Sequence, residues 1–277
     1  MRVVTYASQQ GPRAGLLAGN RIVDAWDAIG GEGATVRELL EAGRLGELEG
    51  IDGEGVALAD AKLLAPVPDP DKIIGIGLNY KAHAAEAGLE PPPSPTFFAK
   101  FRNSLRGDGD TVTLPAASAK VDYEAEVAFV VGRRAKDVVE ADALDYIAGY
   151  TLLNDLSARD LQFATPQWMP GKVFDGSAPC GPALVTSDEA GPHDAISIAL
   201  ELNGERMQES CTADLVFSIP ALLAHLSMLM TLVPGDIVAT GTPAGVGGAR
   251  EPHVWLRAGD RAVVISDQLG QLRSEIA

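Results

Sequence analysis

The stretch Val121–Gly132, VDYEAEVAFVVG, decides how the rest of the chain is interpreted. Its first half alternates acidic and apolar residues, with carboxylates at Asp122, Glu124 and Glu126, and its second half is continuously apolar. In an extended chain, residues i, i+2 and i+4 share one face. The pattern therefore predicts a strand over Lys120–Val131 that is acidic on one face and runs on into a buried interior.

Two interpretations of the acidic face are open. Three carboxylates side by side repel each other, and partial burial adds a desolvation cost. A bound dication would remove both penalties. Alternatively, the strand lies at a sheet edge and its solvated charges discourage edge-to-edge association.

A second acidic motif, Asn154–Asp160 (NDLSARD), favours the metal interpretation. It follows Ile147–Leu153, an apolar run typical of an internal strand, so Asp155 is expected at a strand end. Arg159 and Asp160 could form a surface ion pair or begin a helix. Oxygen ligands alone favour Mg²⁺, Mn²⁺ or Ca²⁺ over zinc, and three carboxylates leave open positions for water and substrate.

The rest of the chain predicts an α+β protein that is mainly β, because short strands at irregular spacing outnumber the helices. A small N-terminal α/β domain is expected over residues 1–65, and a catalytic domain over residues 70–277. The predicted strands are Arg2–Tyr6, Ala14–Leu17, Arg21–Asp24, Ile73–Gly77, Lys120–Val131, Ile147–Leu153, Ile196–Asn203, Asp236–Thr240 and Arg261–Ser266. The predicted helices begin at the N-cap Thr35, with a capping box to Glu38, and cover Tyr80–Ala87, Ala141–Tyr146 and Asp214–Met230.

Composition excludes several classes of partner. The formal net charge of −16 over 277 residues repels nucleic acid and anionic membranes. No apolar run reaches the roughly 20 residues that span a bilayer, and the first residues lack signal-peptide features. Cys180 and Cys211 have no metal or redox spacing, which favours two free thiols over a disulfide. The expected location is the cytoplasm.

His83 and Glu86 lie three residues apart on a predicted helix, so they can hydrogen-bond on one face. A histidine oriented by a carboxylate is a common general base. A surface pair without chemistry is the alternative, since exposed pairs of this kind are frequent.

Several motifs in a fixed order resemble the fumarylacetoacetate hydrolase superfamily, in particular its bacterial acylpyruvate hydrolases and 2-hydroxyhepta-2,4-diene-1,7-dioate isomerases. The matching stretches are Ile76–Glu86 (IGLNYKAHAAE), Pro95–Phe101 (PTFFAKF), Val121–Gly132, Gly149–Gln162 (GYTLLNDLSARDLQ), Gly171–Lys172, Gly181–Pro182 and Pro234–Gly247 (PGDIVATGTPAGVG).

The resemblance implies a β-roll catalytic domain, a homodimer and a set of site residues. By position, Mg²⁺ or Mn²⁺ would be bound by Glu124, Glu126 and Asp155, with Asp122 in support. The resemblance assigns catalysis to His83, Glu86 and Lys172, and lining of the substrate pocket to Arg159, Gln162 and Thr242. Lys100 or Arg102 would add the positive charge that an anionic substrate needs.

The function implied is metal-dependent hydrolysis of a C–C bond in an acylpyruvate-type β-diketo acid, fumarylpyruvate-like, of the kind met in aromatic catabolism. Water would be activated by the His83–Glu86 pair. An isomerase, decarboxylase or lyase of a 2-keto acid or diacid on the same site is the alternative. A non-catalytic metabolite-binding protein is a further one, disfavoured because metal ligands, base and lysine are all present.

Overall fold

The computed structural model describes all residues, 1–277, and is mainly β. The strands are β1 Arg2–Ser8, β2 Gly11–Ala18, β3 Arg21–Asp24, β4 Val56–Ala57, β5 Leu63–Leu64, β6 Ile73–Gly77, β7 Thr96–Lys100, β8 Leu105–Arg106, β9 Thr111–Val112, β10 Val121–Asp122, β11 Ala125–Val131, β12 Ile147–Asn154, β13 Ser157–Ala158, β14 Ala178–Thr186, β15 Ser197–Leu202, β16 Glu205–Cys211, β17 Ile237–Ala239, β18 Arg261–Ser266 and β19 Gly270–Ile276. The α-helices are α1 Ala25–Ala28, α2 Val36–Glu41, α3 Lys81–Glu86, α4 Arg159–Gln162, α5 Ser187–Ala190 and α6 Ile219–Leu229. Short 3₁₀ helices cover Leu45–Leu48, Leu58–Asp60, Arg102–Ser104, Glu140–Tyr146, Met169–Gly171, Thr212–Asp214 and Gly247–Ala249.

A large sheet forms the centre of the molecule, in the order β4-β3-β2-β1-β14-β12-β11-β17-β6-β7. Strand β11 lies inside it, antiparallel to both β12 and β17. Every residue of β11 is buried, as its apolar run predicts. The α+β, mainly β prediction is confirmed, and the interpretation of the acidic strand as a solvated sheet edge is wrong.

A second sheet of five strands, in the order β16-β15-β18-β19-β9, packs near the first. Its β15–β16 hairpin turns at Asn203 and Gly204, which have φ of +53° and +86°. Two adjacent residues at positive φ are typical of a tight hairpin turn, as the Asn-Gly pair predicts. One hydrophobic cluster of 41 buried residues contains side chains of both sheets.

The first 65 residues add strands to the same central sheet. Strand β1 pairs with β14, so Arg2 lies opposite Val185 and Val3 opposite Leu184. Helix α2 begins at Thr35 with the predicted capping box, in which Glu38 binds back to the N-cap backbone. A second cluster of 21 buried residues joins α2 to one face of the central strands. The N-terminal segment is therefore continuous with the large sheet.

The predicted strand over Lys120–Val131 is interrupted, which sequence periodicity did not indicate. Strand β10 pairs with β13, whereas β11 pairs with β12 and β17. The chain changes strand partners at Tyr123 and Glu124, the two-residue step between β10 and β11. This step determines where the carboxylates point. Several strands were not predicted, among them β7, β14 and β19. Strand β14 contains Gly181 and two prolines that are typical of a turn, whereas β19 alternates exposed and buried residues over seven positions.

The structure also bears on a predicted helix start, on the cysteines and on membrane-spanning helices. The predicted helix over Asp214–Met230 begins later, after the N-cap Ser218, because a 3₁₀ turn ends at Asp214 and the next residue, Leu215, forms a β-bridge with Tyr80. Cys180 and Cys211 are both free thiols, as predicted. No helix of the structure has the combination of length and apolar character that crossing a bilayer requires.

Candidate metal centre and catalytic cleft

Three carboxylates from two strands converge at one point. Glu124 lies in the step before β11, Glu126 lies in β11, and Asp155 directly follows β12. The Asp155 N–H donates to the Glu124 carbonyl at 2.8 Å, which brings the end of β12 beside the step. Ligand oxygens of the three side chains lie within 4.8 Å of one another, and all three residues are buried. These carboxylates could hold a metal ion.

Three cations surround this cluster. Lys172 Nζ lies 2.6 Å from Glu124 Oε2 and 2.7 Å from Asp155 Oδ2. Arg159 Nη1 lies 2.7 Å from Glu124 Oε1, and Lys100 Nζ lies 2.6 Å from Asp155 Oδ1. Although burial opposes ionisation of Glu124, the charges of Lys172 and Arg159 hold its pKa well below the ordinary value. Glu124 and Asp155 are therefore charge-paired.

Glu126 differs from the other two carboxylates because no cation contacts it. Its Oε2 accepts only the Gly241 N–H, at 2.8 Å. Burial, and then the negative charges of Asp155 and Glu124, raise its pKa well above the ordinary value. A buried carboxylate without a counter-ion is costly, and a dication beside it would remove the cost. Three oxygen donors fit Mg²⁺ or Mn²⁺.

Asp122 supports the site and is not a member of the three-carboxylate cluster. Its Oδ1 accepts the N–H groups of Tyr123 and Gly247, at 2.8 and 2.7 Å. Its Oδ2 accepts the Gly248 N–H at 2.9 Å and two donors of Arg159, at 2.9 and 2.8 Å. Asp122 thus connects the loop around Gly247 to the arginine beside Glu124. Arg159 pairs with Asp122 and Glu124, and not with its neighbour Asp160.

The His83–Glu86 pair faces a cleft of about 630 Å³ that Glu124, Glu126 and Lys172 also line. His83 Nδ1 lies 3.2 Å from Glu86 Oε2, and Glu86 Oε1 accepts the Gly245 N–H at 2.9 Å. Glu86 therefore orients the imidazole and fixes α3 to the loop that follows β17. The arrangement brings a candidate base and the carboxylate cluster into one cavity.

Three of the four residues predicted to bind substrate line the same cleft, namely Arg159, Gln162 and Thr242. Gln162 Oε1 accepts from Arg159 Nη1 at 3.0 Å, which leaves its amide N–H₂ group as a donor. Thr242 Oγ1 accepts from Gln208, at 2.8 Å, so its own proton is available to a ligand. These positions suit recognition of an anion or carbonyl oxygen.

Lys100 is placed differently from the prediction. It lies beneath Asp155, is 3 % exposed, and is absent from the cleft lining. Its ammonium group donates to Asp155 and to the Lys172 carbonyl. The side chain therefore anchors a carboxylate of the cluster and does not line the cleft. Arg102 is also away from the cleft and donates to the Pro70 carbonyl.

Gln208 was missed by sequence reasoning. It is 1 % exposed, its Oε1 accepts the Ala125 N–H at 2.9 Å, and its Nε2 donates to Thr242 and to the Pro243 carbonyl. It therefore connects β11 to the loop that carries Thr242. A glutamine at an inward position of a strand was the available signal, but its partners are distant in sequence.

Aromatic side chains form the walls of the cleft. Phe98 and Trp168 contact edge to face, with ring centroids 6.2 Å apart. Lys172 Nζ lies 4.9 Å from the Phe98 ring centroid, close enough for a cation–π contact. Gly77 leaves room for Trp168, because a Cβ there would lie 2.3 Å from the indole. The cleft thus combines a charged floor with apolar walls.

Comparison with known proteins agrees with the family that the sequence motifs resemble. Residues 72–277 match the family described as fumarylacetoacetate (FAA) hydrolase C-terminal. A mitochondrial oxaloacetate tautomerase of Xenopus laevis is 39 % identical over 287 residues, covering 100 % of this chain and 90 % of the relative.

Two solved structures share the whole fold. The 5-carboxymethyl-2-hydroxymuconate delta-isomerase of Mycobacterium smegmatis has a TM-score of 0.81 and 33 % identity, covering 100 % of this chain and 98 % of that one. The maleylpyruvate hydrolase of Sphingobium sp. SYK-6, in complex with manganese(II) and pyruvate, has a TM-score of 0.82 and 31 % identity, covering 100 % and 99 %. The family match extends over most of the chain and agrees with the carboxylate cluster and the cleft: the chain belongs to the fumarylacetoacetate hydrolase family.

Proposed function

We propose that this protein is a Mg²⁺- or Mn²⁺-dependent hydrolase that cleaves a C–C bond in an acylpyruvate-type β-diketo acid. The observation that carries the proposal is the placement of His83–Glu86 in the same cleft as Glu124, Glu126 and Lys172. A base and a cation-binding cluster in one cavity meet the requirements of metal-assisted hydrolysis.

Glu124, Glu126 and Asp155 would hold the ion. When bound, a dication supplies Lewis acidity toward the oxygens of a chelating keto acid. Together with Asp122, the cluster has four carboxylates against the three cations Lys100, Arg159 and Lys172. Its formal charge is therefore −1 alone and +1 with a dication, which explains how a chain of net charge −16 accepts an anion.

His83 would act on water. With its Nδ1 proton donated to Glu86, Nε2 carries the free lone pair and can remove a proton from the water that attacks the distal carbonyl. The bond between the acyl carbon and the pyruvate methylene carbon then breaks, the electron pair passes to the pyruvate half, and the proton is returned there. The products are a carboxylic acid and pyruvate.

Lys172 would bind oxygen atoms that gain negative charge. Burial acts against its charge, but Asp155 and Glu124 raise its pKa, so the ammonium group stays protonated. Arg159, Gln162 and Thr242, which line the same cleft, would orient the keto-acid head. Preorganised donors of this type act most strongly where water is excluded.

A second candidate is tautomerisation or isomerisation of a 2-keto diacid on the same site. It is supported by the Xenopus laevis relative, which is an oxaloacetate tautomerase, and by the delta-isomerase structure. Among these substrates the cleft volume of about 630 Å³ disfavours oxaloacetate, because a four-carbon diacid would leave most of it empty. Decarboxylation is a third reaction open to the same groups.

The test is a substrate panel with Mg²⁺- or Mn²⁺-loaded protein. Acylpyruvates of increasing length should be consumed with release of pyruvate, detected by lactate dehydrogenase coupling, and chelation should abolish release. Interconversion of oxaloacetate tautomers without any cleavage of acylpyruvates would replace the hydrolase proposal by the tautomerase.

We also propose a homodimer. Phe97 in the outer strand β7 and Phe101 directly after it are 39 % and 51 % exposed, which is unusual for phenylalanine at the edge of a sheet. Light scattering should give a molecular mass of twice the 28.9 kDa of one chain. A single-chain mass would refute the dimer without affecting the proposed reaction.

A further inference from the structure

One cation of the cleft has no counter-ion. Arg159 and Lys172 also line the cavity, but each is paired with buried carboxylates. Lys120 lines it as well, is exposed, and forms no ion pair. In a chain with 38 acidic and 22 basic residues, an unpaired ammonium group inside the main cleft is free to bind an anion.

The backbone places Lys120 between two walls of the cleft. Its carbonyl accepts the Arg159 N–H at 2.9 Å, and the carbonyl of the next residue, Val121, accepts the Leu256 N–H at 2.8 Å. Lys120 is exposed, whereas Glu126 and Lys172 at the floor are buried. It therefore lies at the opening, away from the carboxylate cluster.

His253 is a second donor at the same opening. Its Nδ1 lies 2.9 Å from the Arg250 carbonyl, so Nδ1 carries a proton and Nε2 is left for a ligand or water. The ring contacts Trp255 with centroids 5.4 Å apart, which fixes its plane. Both residues line the cleft. The exposed part of the cleft lining thus includes an ammonium group and an imidazole.

Four aromatic side chains also line the cleft. Phe98 contacts Trp168 and its ring centroid lies 4.9 Å from Lys172 Nζ, and Phe163 and Trp255 belong to the same lining. The cleft therefore combines buried charged groups, aromatic side chains and the exposed donors Lys120 and His253. A ligand that matches it has an acidic head, an uncharged middle and a second acidic group.

Asp160 is an acidic side chain of the same cleft lining that does not pair with Lys120. Its Oδ1 accepts from the Ser118 hydroxyl at 2.5 Å and its Oδ2 accepts the Ala119 N–H at 3.1 Å. These bonds direct the carboxylate toward its own loop. The ammonium group of Lys120 therefore forms no ion pair with Asp160.

We propose that Lys120, assisted by His253, is a specificity-determining residue that binds the second acidic group of a 2-oxo diacid at the opening of the cleft. The inference rests on the proposed 2-oxo acid function and adds the chemistry of the tail: substrates with a distal carboxylate are selected over substrates with a neutral tail of equal length.

The test compares two six-carbon ligands that share the 2-oxo acid head, 2-oxoadipate with a distal carboxylate and 2-oxohexanoate without one. Binding to Mg²⁺-loaded protein is measured by calorimetry. The wild type should bind 2-oxoadipate roughly tenfold more tightly, the size of one partly exposed charge-assisted hydrogen bond. Lys120→Met should remove most of this preference, and Lys120→Arg should keep it.

Lys62→Met is the matched control, because Lys62 is exposed, pairs with Asp110 and lies outside the cleft. It should leave the preference unchanged, whereas added salt should reduce it. Equal affinity of the wild type for both ligands, or equal weakening of both by Lys120→Met, overturns the assignment while the 2-oxo acid function stands. If neither ligand binds, the proposed function fails and the assignment fails with it.

Discussion

Replacing Asp122 with asparagine tests the claim that this carboxylate supports the site without binding metal. Asparagine keeps the shape but offers one oxygen and one N–H₂ group. If the oxygen stays toward Tyr123 and Gly247, the N–H₂ group faces the Gly248 N–H and the Arg159 guanidinium, which are both donors. In the opposite rotamer the N–H₂ group faces the N–H groups of Tyr123 and Gly247, which then have no acceptor.

The expected loss of stability and of substrate binding follows from these contacts. Each buried donor left without a partner costs about 1–3 kcal/mol, and breaking a buried ion pair costs roughly 3–5 kcal/mol. Arg159 keeps its contacts to Glu124 and Gln162, which moderates the loss. We expect the free energy of unfolding to fall by about 3 kcal/mol, and KM to rise about tenfold because Arg159 is less well oriented.

Urea unfolding of the metal-free protein measures the first effect, and steady-state kinetics with metal measure the second. Asp194→Asn is the matched control, since Asp194 is exposed and its change should be neutral. A loss below about 1 kcal/mol with unchanged KM would refute the supporting role. Unchanged stability together with weakened metal binding would instead make Asp122 a ligand.

Three further predictions concern single side chains. His83→Ala should lower kcat for hydrolysis by roughly 10²–10⁴-fold with metal affinity unchanged in a calorimetric titration, whereas His193→Ala, in a distant loop, should have no effect. Glu126→Gln should abolish the rise in melting temperature that Mn²⁺ gives the wild type. Because burial and two neighbouring carboxylates raise the pKa of Glu126, the metal-free wild type should lose stability relative to metal-free Glu126→Gln as the pH rises above 4.5. Gly77→Ala should displace Trp168 and cost about 1–3 kcal/mol, with a change in KM that depends on the substrate tail.

The sequence predicted those parts of the site that local periodicity controls. Alternation along the acidic strand identified Glu124 and Glu126, and the apolar run before Asp155 placed that residue at a strand end. The break at Tyr123 was not predictable, because it arises when the chain leaves β13 and joins β12, a pairing between distant segments. The family resemblance, and not the alternation, removed Asp122 from the ligand set.

Long-range contacts explain the remaining differences. Lys100 was assigned to substrate because a cation near an anionic site is generally useful, but the fold turns it beneath Asp155. Gln208 gave no local signal, since its partners lie on β11 and in the loop after β17. Sequence patterns determine which face a side chain occupies on its own strand, whereas the partner on another strand depends on the assembled sheet.

The charge distribution also explains why one site could serve several reactions. Each of Glu124 and Asp155 is already paired with cations, which hold these two carboxylates in place. Glu126, without a cation, is the carboxylate whose energy a bound metal would change most. His83 lies on a separate element, α3, connected to the cleft through Glu86. Changing the cleft opening or α3 would therefore alter the substrate or the proton transfer while the carboxylate cluster stays intact.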